Sequence, residues 1–365
     1  MMKAMNSKLF RILLIPLCAT GIVSGQTFSE KKIVEKSFPA NGTVTLEVNN
    51  KYGTIHITSW DKDSVAIKAE IDANSQKADR LKKIMDGIDI DISENSYMIG
   101  VETEFDLNFN MLFESFKGMT NNLIPYDSRI QVNYYISAPD YLNMRIINRY
   151  GDVYMENNSG KFELELANGS FKANSLKLES NLVLTFCDAT INKITEGKIE
   201  ASFSEIVVGE ADDLTINSSS SRIDVEKGHR LTTDSRRDKF FIDEVESLQG
   251  SSYFTDFRID ELNNELKMAS KYGSIRVSRI NRTVEKIDIY SGYLDINLTL
   301  DREMSYSLQI KHTNTVMVLP EEKSGIITET LDEEKKEYFT KGTIGASPVK
   351  TDLKIDAVRG NIFIR

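Results

Sequence analysis

Cysteine and histidine are scarce in this chain of 365 residues, which holds two of the first and three of the second. Cys18 falls inside an apolar leader, so only Cys187 remains in the body of the chain and no intramolecular disulfide framework can form. His56, His229 and His312 stand far apart, with no H-E-x-x-H string and no paired cysteine, so a zinc site of familiar spacing is excluded. The G-x-S-x-G elbow, the Walker loop, the dinucleotide fingerprint and the G-G-x-G-x-D calcium repeat are missing as well. The expectation is a chain with no cofactor, no metal and no catalytic residue.

Long apolar runs are also absent. The one leader-like run, from Ile12 to Val23, follows Lys3, Lys8 and Arg11 and ends at Val23-Ser24-Gly25. Residues 1–25 therefore read as a secretory signal, with the mature chain starting at Gln26. The run is too short for a comfortable membrane span, and Pro16 interrupts it. A lipoprotein reading would need Cys18, against which the bulky Leu17 argues. Removing the three basic leader residues takes the formal charge from −10 to −13, an acidity that repels nucleic acid and anionic lipid. The expected location is the periplasm, the outer-membrane surface or the cell exterior.

What the chain does contain is a rhythm. Leu46-Glu-Val48-Asn-Asn50-Lys-Tyr52-Gly53-Thr-Ile55-His-Ile57 returns around Asn148-Arg-Tyr150-Gly151-Asp-Val153 and around Ser270-Lys-Tyr272-Gly273-Ser-Ile275. A degenerate copy, Leu353-Lys-Ile355 with Gly360-Asn-Ile362-Phe-Ile364, closes the chain. Between these copies the first apolar residue after each turn falls at Val153, Phe171, Ala189, Ile206, Ile223, Phe240, Phe257, Ile275 and Leu294, in steps of 17 to 19 residues. A second aliphatic or small residue stands two positions further on each time, which is the period of a strand. A short strand also precedes each turn, at Ile199, Ile216, Thr233, Gly250 and Met268, and Glu200, Thr215, Asp224, Asp243, Arg258, Lys267 and Arg276 are expected in water.

The pattern predicts an all-β fold, a parallel β-solenoid of β-helix type with 17–19-residue coils and one short helical and aromatic insertion. Nine coils at a strand spacing of 4.8 Å would make a rod of about 43 Å. An antiparallel sandwich of hairpins is the rival reading. The expected organisation is a signal peptide at 1–25, N-terminal strands with the insertion at 26–140, a regular solenoid at 141–320, and a charged loop with a closing coil at 321–365.

Two interruptions break the rhythm. Residues Ser75 to Met85 read as an amphipathic helix with Ser75 as N-cap, between the strand at Ser64–Ile67 and those around Ile88–Ile92 and Ile130–Tyr134. Residues 105–124 then gather Phe105, Phe109, Leu112, Phe113 and Phe116, either to cap the open end of the solenoid or to meet a membrane or protein partner. The charged stretch 321–347 reads as a solvated loop or hairpin.

Tyr52, Gly53, Tyr150, Gly151, Tyr272, Gly273 and Gly360 are read as structural turn residues, glycine supplying a positive φ and the preceding Asn or Ser bonding across the bend. The equivalent tyrosines could also form an aromatic ladder that holds a glycan. Asp224, Asp243, Asp256 and Asp260, with Arg222, Arg237 and Arg258 nearby, are the carboxylates a polysaccharide-acting β-helix enzyme would need.

The Asn-Lys-Tyr-Gly-Thr-Ile-His-Ile string, the strand Tyr134-Tyr-Ile136-Ser-Ala-Pro139 leading to Asn148-Arg-Tyr150-Gly151-Asp-Val153, and the leader together resemble the exported putative-adhesin family of bacteria, common in the Bacteroidetes. The resemblance covers roughly residues 37 to 365. It implies a β-solenoid at the envelope with a binding or structural role, and it brings no catalytic residues. The functional expectation is a non-enzymatic, adhesin-like or envelope-associated scaffold. Its partner would be an envelope protein or a glycan, with peripheral membrane contact through 105–124 and no nucleic acid. The enzyme, or an envelope-stress component binding a membrane partner, is the alternative.

Overall fold

Residues that alternate apolar and polar along an extended chain turn one face to a core and one to water, and a neighbour of the same pattern satisfies the backbone. The computed structural model describes residues 27–106, 128–320, 325–345 and 348–365. The described chain is all-β apart from one helix, and its twenty strands join one large, mostly parallel sheet.

The central part is built from β8 (Asn143–Arg149), β9 (Val153–Asn158), β10 (Phe162–Leu176), β11 (Ser180–Ser202), β12 (Glu205–Ser219), β13 (Arg222–Arg236), β14 (Lys239–Ile280) and β15 (Lys286–Leu300). β8 and β9 both pair in parallel with β10, and from β10 on each strand pairs in parallel with the next, at a register of 17 or 18 residues through β13. Val153 thus faces Phe171, and Phe171 faces Ala189, followed by Ile206, Ile223 and Phe240 in turn. Phe240 stacks on Phe257 with ring centroids 4.7 Å apart. All of these residues are buried, as is Ile275, so the inward column read from the spacing is present. Ile199, Ile216, Thr233 and Gly250 form the companion column.

One marker is misplaced. Ile275 pairs with Ile296, not with Leu294, which lies opposite Gly273. The extra residues are taken up in a bend after Ile280, where the Val284 amide donates to the Asn281 carbonyl.

The ends do not follow chain order. β2 (Thr45–Lys51) pairs in parallel with both β6 (Met98–Phe105) and β8, and β3 (Ile55–Trp60) with both β7 (Ser128–Pro139) and β9. The first Tyr-Gly segment therefore sits inside the sheet, between two segments that follow it. At the other end β20 (Thr351–Ile364) slots between β15 and the pair β16 (Tyr306–Thr313) and β17 (Val316–Val318). Antiparallel pairings finish both ends. β1 (Phe28–Pro39) joins β4 (Ser64–Ser75), which joins β7, and β5 (Ile88–Glu94) joins β6. At the far end β18 (Ile327–Asp332) and β19 (Glu337–Ile344) form the hairpin read for the charged stretch, docked on β16.

The helix α1 spans Ala78–Asp86 and buries Leu81, Ile84 and Met85. It starts later than the sequence suggests, because Ser75 remains paired in β4 with Phe28 and Ser128. Lys77 is the N-cap without a side-chain bond, and the Ser75 hydroxyl accepts from the Lys77 amide at 3.3 Å. Phe109, Leu112, Phe113 and Phe116 lie outside the described residues.

Ile223 is fully buried in register between Ile206 and Phe240. Ile223→Asp or Phe257→Asp is expected to cost several kcal/mol and to abolish the cooperative thermal transition. Cooperative melting of both variants at the parental temperature would contradict the inward assignment.

Candidate functional site

Each crossing from one strand face to the next is made at a single residue in the left-handed region. Tyr52, Tyr150, Asn168, Phe186, Phe203, Ser220, Arg237, Phe254, Tyr272, Tyr293 and Arg359 have φ between 51° and 66°. Their neighbours pair directly, Ala167 with Thr185 and Gly169 with Cys187, so these corner residues project side by side on the outside of the bend. They form one ridge running across the strands.

The corner chemistry differs from the sequence reading. The tyrosines, not Gly53 and Gly151, adopt the positive φ. Those glycines are required by close approach, since a Cβ on Gly53 would lie 2.0 Å from the Val132 carbonyl oxygen, and one on Gly151 1.9 Å from that of Gly53. Gly273 and Gly360 combine both demands, with φ of 113° and 99°. Asn148 bonds across the bend to the Asp152 carbonyl and onward to that of Gly53, as expected. Ser270 instead accepts from the Ser252 hydroxyl of the neighbouring segment.

From Cys187 to Thr255 a short polar side chain stands in the place of that glycine. The amide of Cys187 donates to Ser204 Oγ, that of Ser204 to Ser221 Oγ, that of Ser221 to Asp238 Oδ1, and that of Asp238 to Thr255 Oγ1. This buried ladder ties the corners together. Burial pushes the Asp238 carboxyl above its ordinary range, against hydrogen bonds from Ser221, Ser218 and Arg236. Burial likewise raises the Cys187 thiol.

Outside, the corner rings stack. Tyr52 lies 5.6 Å from Tyr150 at 16°, Phe186 lies 5.0 Å from Phe203 at 9°, and Phe254 lies 4.7 Å from Tyr272 at 11°. Tyr293 continues the stack at 5.1 Å, and Arg359 covers it at 5.0 Å while donating to its hydroxyl. Tyr52 is buried edge-on against Phe105, which is itself partly buried and packs on the core. In the middle of the ridge the rings are open: Phe186 is 56%, Phe203 57% and Phe254 48% exposed. Cations share the same corners, with Arg149, Arg236 and Lys271 each preceding the left-handed residue and Arg237 occupying that position.

Three of the four carboxylates proposed for an enzyme, Asp224, Asp256 and Asp260, are occupied separately. Asp224 bonds to Arg222 and faces Phe241 across the strand pair, Asp256 accepts from Ser274, and Asp260 accepts from Ser278. Arg258 and Arg222 both lie over the Phe241 ring. Among the described residues no group of three His, Cys, Asp or Glu side chains is placed to hold a metal ion. His56 is stacked between Tyr135 and Tyr154, and buried His312 against Tyr338. Among the described residues no helix is long and apolar enough to cross a membrane.

The chain matches no family model and no curated protein. Similar solved structures include a "putative cell adhesion protein" from Clostridium sporogenes, at 12% identity and TM-score 0.19, covering 93% of this chain and 100% of that one. A "putative adhesin" from Parabacteroides merdae has 12% identity and TM-score 0.30, with 73% and 93% covered. A "putative lipid binding protein" from Parabacteroides distasonis has 10% identity and TM-score 0.36, with 73% and 96% covered.

Asp238 provides a pH test of the inner ladder. Because its folded pKa is raised, ionisation weighs against the native state above the carboxylate range, and that penalty disappears as pH falls. Asp238→Ser copies Ser204 and Ser221 and has no such titration. The difference in melting temperature is expected to move in favour of the parent as pH falls from 7 to about 4. A pH-independent difference, or a shift the other way, would contradict the burial assignment.

Proposed function

We propose that the chain is an exported, non-enzymatic β-solenoid that serves as an adhesin-like, envelope-associated binding scaffold, with the aromatic corner ridge as its binding surface. Export rests on the leader at 1–25. The solenoid reading is supported by the in-register parallel pairing of segments 17 or 18 residues apart. The ridge carries the functional reading. A left-handed backbone costs an L-residue roughly 1–2 kcal/mol, and Asn or Gly bears it most easily. Here Phe186, Phe203 and Phe254 bear it with their rings about half exposed, which gains little from burial. Backbone strain spent on displaying an apolar side chain is the mark of a surface kept for contact.

Asn168 and Asn314 already occupy equivalent corners at positive φ, so Phe→Asn at all three positions keeps the backbone supported. The variant F186N/F203N/F254N is expected to melt at or slightly above the parental temperature. In co-sedimentation with an envelope fraction it is expected to lose at least tenfold in the amount bound. Equal sedimentation of variant and parent would refute the ridge as the binding surface.

A further inference from the structure

The identity of the surface met by the ridge can be narrowed, on the reading that the ridge is the binding surface. We infer that the ridge is an edge for docking onto a lipid bilayer, laying successive corners along the membrane with Phe186, Phe203 and Phe254 entering the interfacial zone and Arg236, Arg237 and Lys271 meeting lipid phosphates.

Ring orientation comes first. Phe186 stacks on Phe203, and Phe254 on Tyr272 and through it Tyr293, at 9° to 26° with centroids about 5 Å apart, so each ring turns at least one face to a neighbour along the column and its edge outward. A sugar held by an aromatic side chain needs an open ring face. An apolar medium needs only area, and a row of ring edges on the outside of a bend supplies it. Aromatic rings beside Lys and Arg are the composition that settles at a bilayer interface.

Charge distribution comes second. On the flanking strands cations are widely neutralised within the protein, as in Lys161–Glu179, Lys193–Glu210, Arg230–Asp213 and Arg279–Glu261. None of the described ion pairs includes Arg149, Arg236, Arg237 or Lys271. Arg236 instead lies over Tyr253 at 5.9 Å and Lys271 over Tyr272 at 5.5 Å, while Arg237 is exposed between Phe203 and Phe254 in the ridge. The charged groups of Arg236 and Lys271 thus rest against ring faces rather than carboxylates, and all three side chains are exposed, which leaves them accessible to phosphate. In a chain of net charge −10 this is a local exception. Carboxylates resume two residues past the corner, at Asp188, Glu205 and Asp256, on the flanks that stay in water, so contact is confined to the crest.

The test is flotation of the mature chain, residues 26–365, with vesicles of phosphatidylcholine alone and of equal parts phosphatidylcholine and phosphatidylglycerol. The parent is expected to float with the anionic vesicles and to be released as salt screens the cations. F186N/F203N/F254N is expected to lose at least tenfold in binding, and R236S/R237S to lose the preference for phosphatidylglycerol while melting like the parent. Failure of the parent to float with either vesicle, or flotation of F186N/F203N/F254N equal to the parent's, would overturn the lipid assignment. Immobilised polygalacturonate is the second arm. If it retains the parent but not F186N/F203N/F254N, and vesicles bind neither, the ligand is an anionic glycan. The lipid inference then falls while the ridge remains the binding surface. Ridge-independent binding to envelopes would remove both.

Discussion

Parallel backbone hydrogen bonding between segments 17 or 18 residues apart is the constraint from which the rest of the structure follows. It places equivalent residues at one strand spacing, about 4.8 Å, so each position becomes a column and each column must be filled by side chains that tolerate their own kind above and below. Inward columns satisfy this with Ile, Val, Leu and paired Phe. The column just inside the corner has almost no room, and is met by glycine at Gly53, Gly151 and Gly169 or by short polar groups that bond to the neighbouring amide. Away from Tyr52, which Phe105 covers, the outer corner column lies largely open to solvent. Whatever occupies it is displayed at regular intervals, which is why a ladder of Phe and Tyr becomes a surface instead of a core.

A stack of parallel strands has two open edges, and this chain closes them by threading its own termini inward. Leu46 pairs with Met144 on one side and Ile99 on the other, and Leu353 lies between Ile287 and Leu308. The antiparallel strands β1, β4, β18 and β19 then cover the ends, limiting edge-to-edge association. Such long-range pairings cost more loop-closure entropy than those of the central segments, whose partners are close in sequence.

Much of this architecture was legible because core periodicity is written directly into the side chains. The columns from Val153 to Ile275 follow from alternation and spacing, and the charged stretch, read as a loop or hairpin, is a hairpin. The step at Leu294 was misread because two aliphatics, Leu294 and Ile296, stand two apart, and only the bend near Asn281 decides between them. The helix start was misread because Ser75 suits a cap and a strand end equally well. Threading of the first and last segments has no local signal, since pairing partners are chosen in three dimensions. In the ridge, Tyr52, Tyr150 and Tyr272 were visible through the glycine that follows them. Phe186, Phe203, Phe254 and Tyr293 were hidden because Cys, Ser, Thr and Leu stand there instead. The same 17-to-18-residue count, started one residue before each inward polar group, would have found most of them. Net acidity likewise concealed the corner cations, because a sum over the chain carries no information about where each charge sits.

The central claim is that corner residues form one straight column, advancing by one strand spacing per segment. Double electron–electron resonance tests it most directly, with spin labels on a Cys187→Ser background that copies Ser204. Asn168 and Arg237 are four steps apart in the column, and Asn168 and Tyr293 seven. At about 4.8 Å per step the backbone separations are about 19 Å and about 34 Å, and the account predicts label distances that grow in that proportion. Similar distances for the two pairs, or a shorter one for Asn168 with Tyr293, would contradict it.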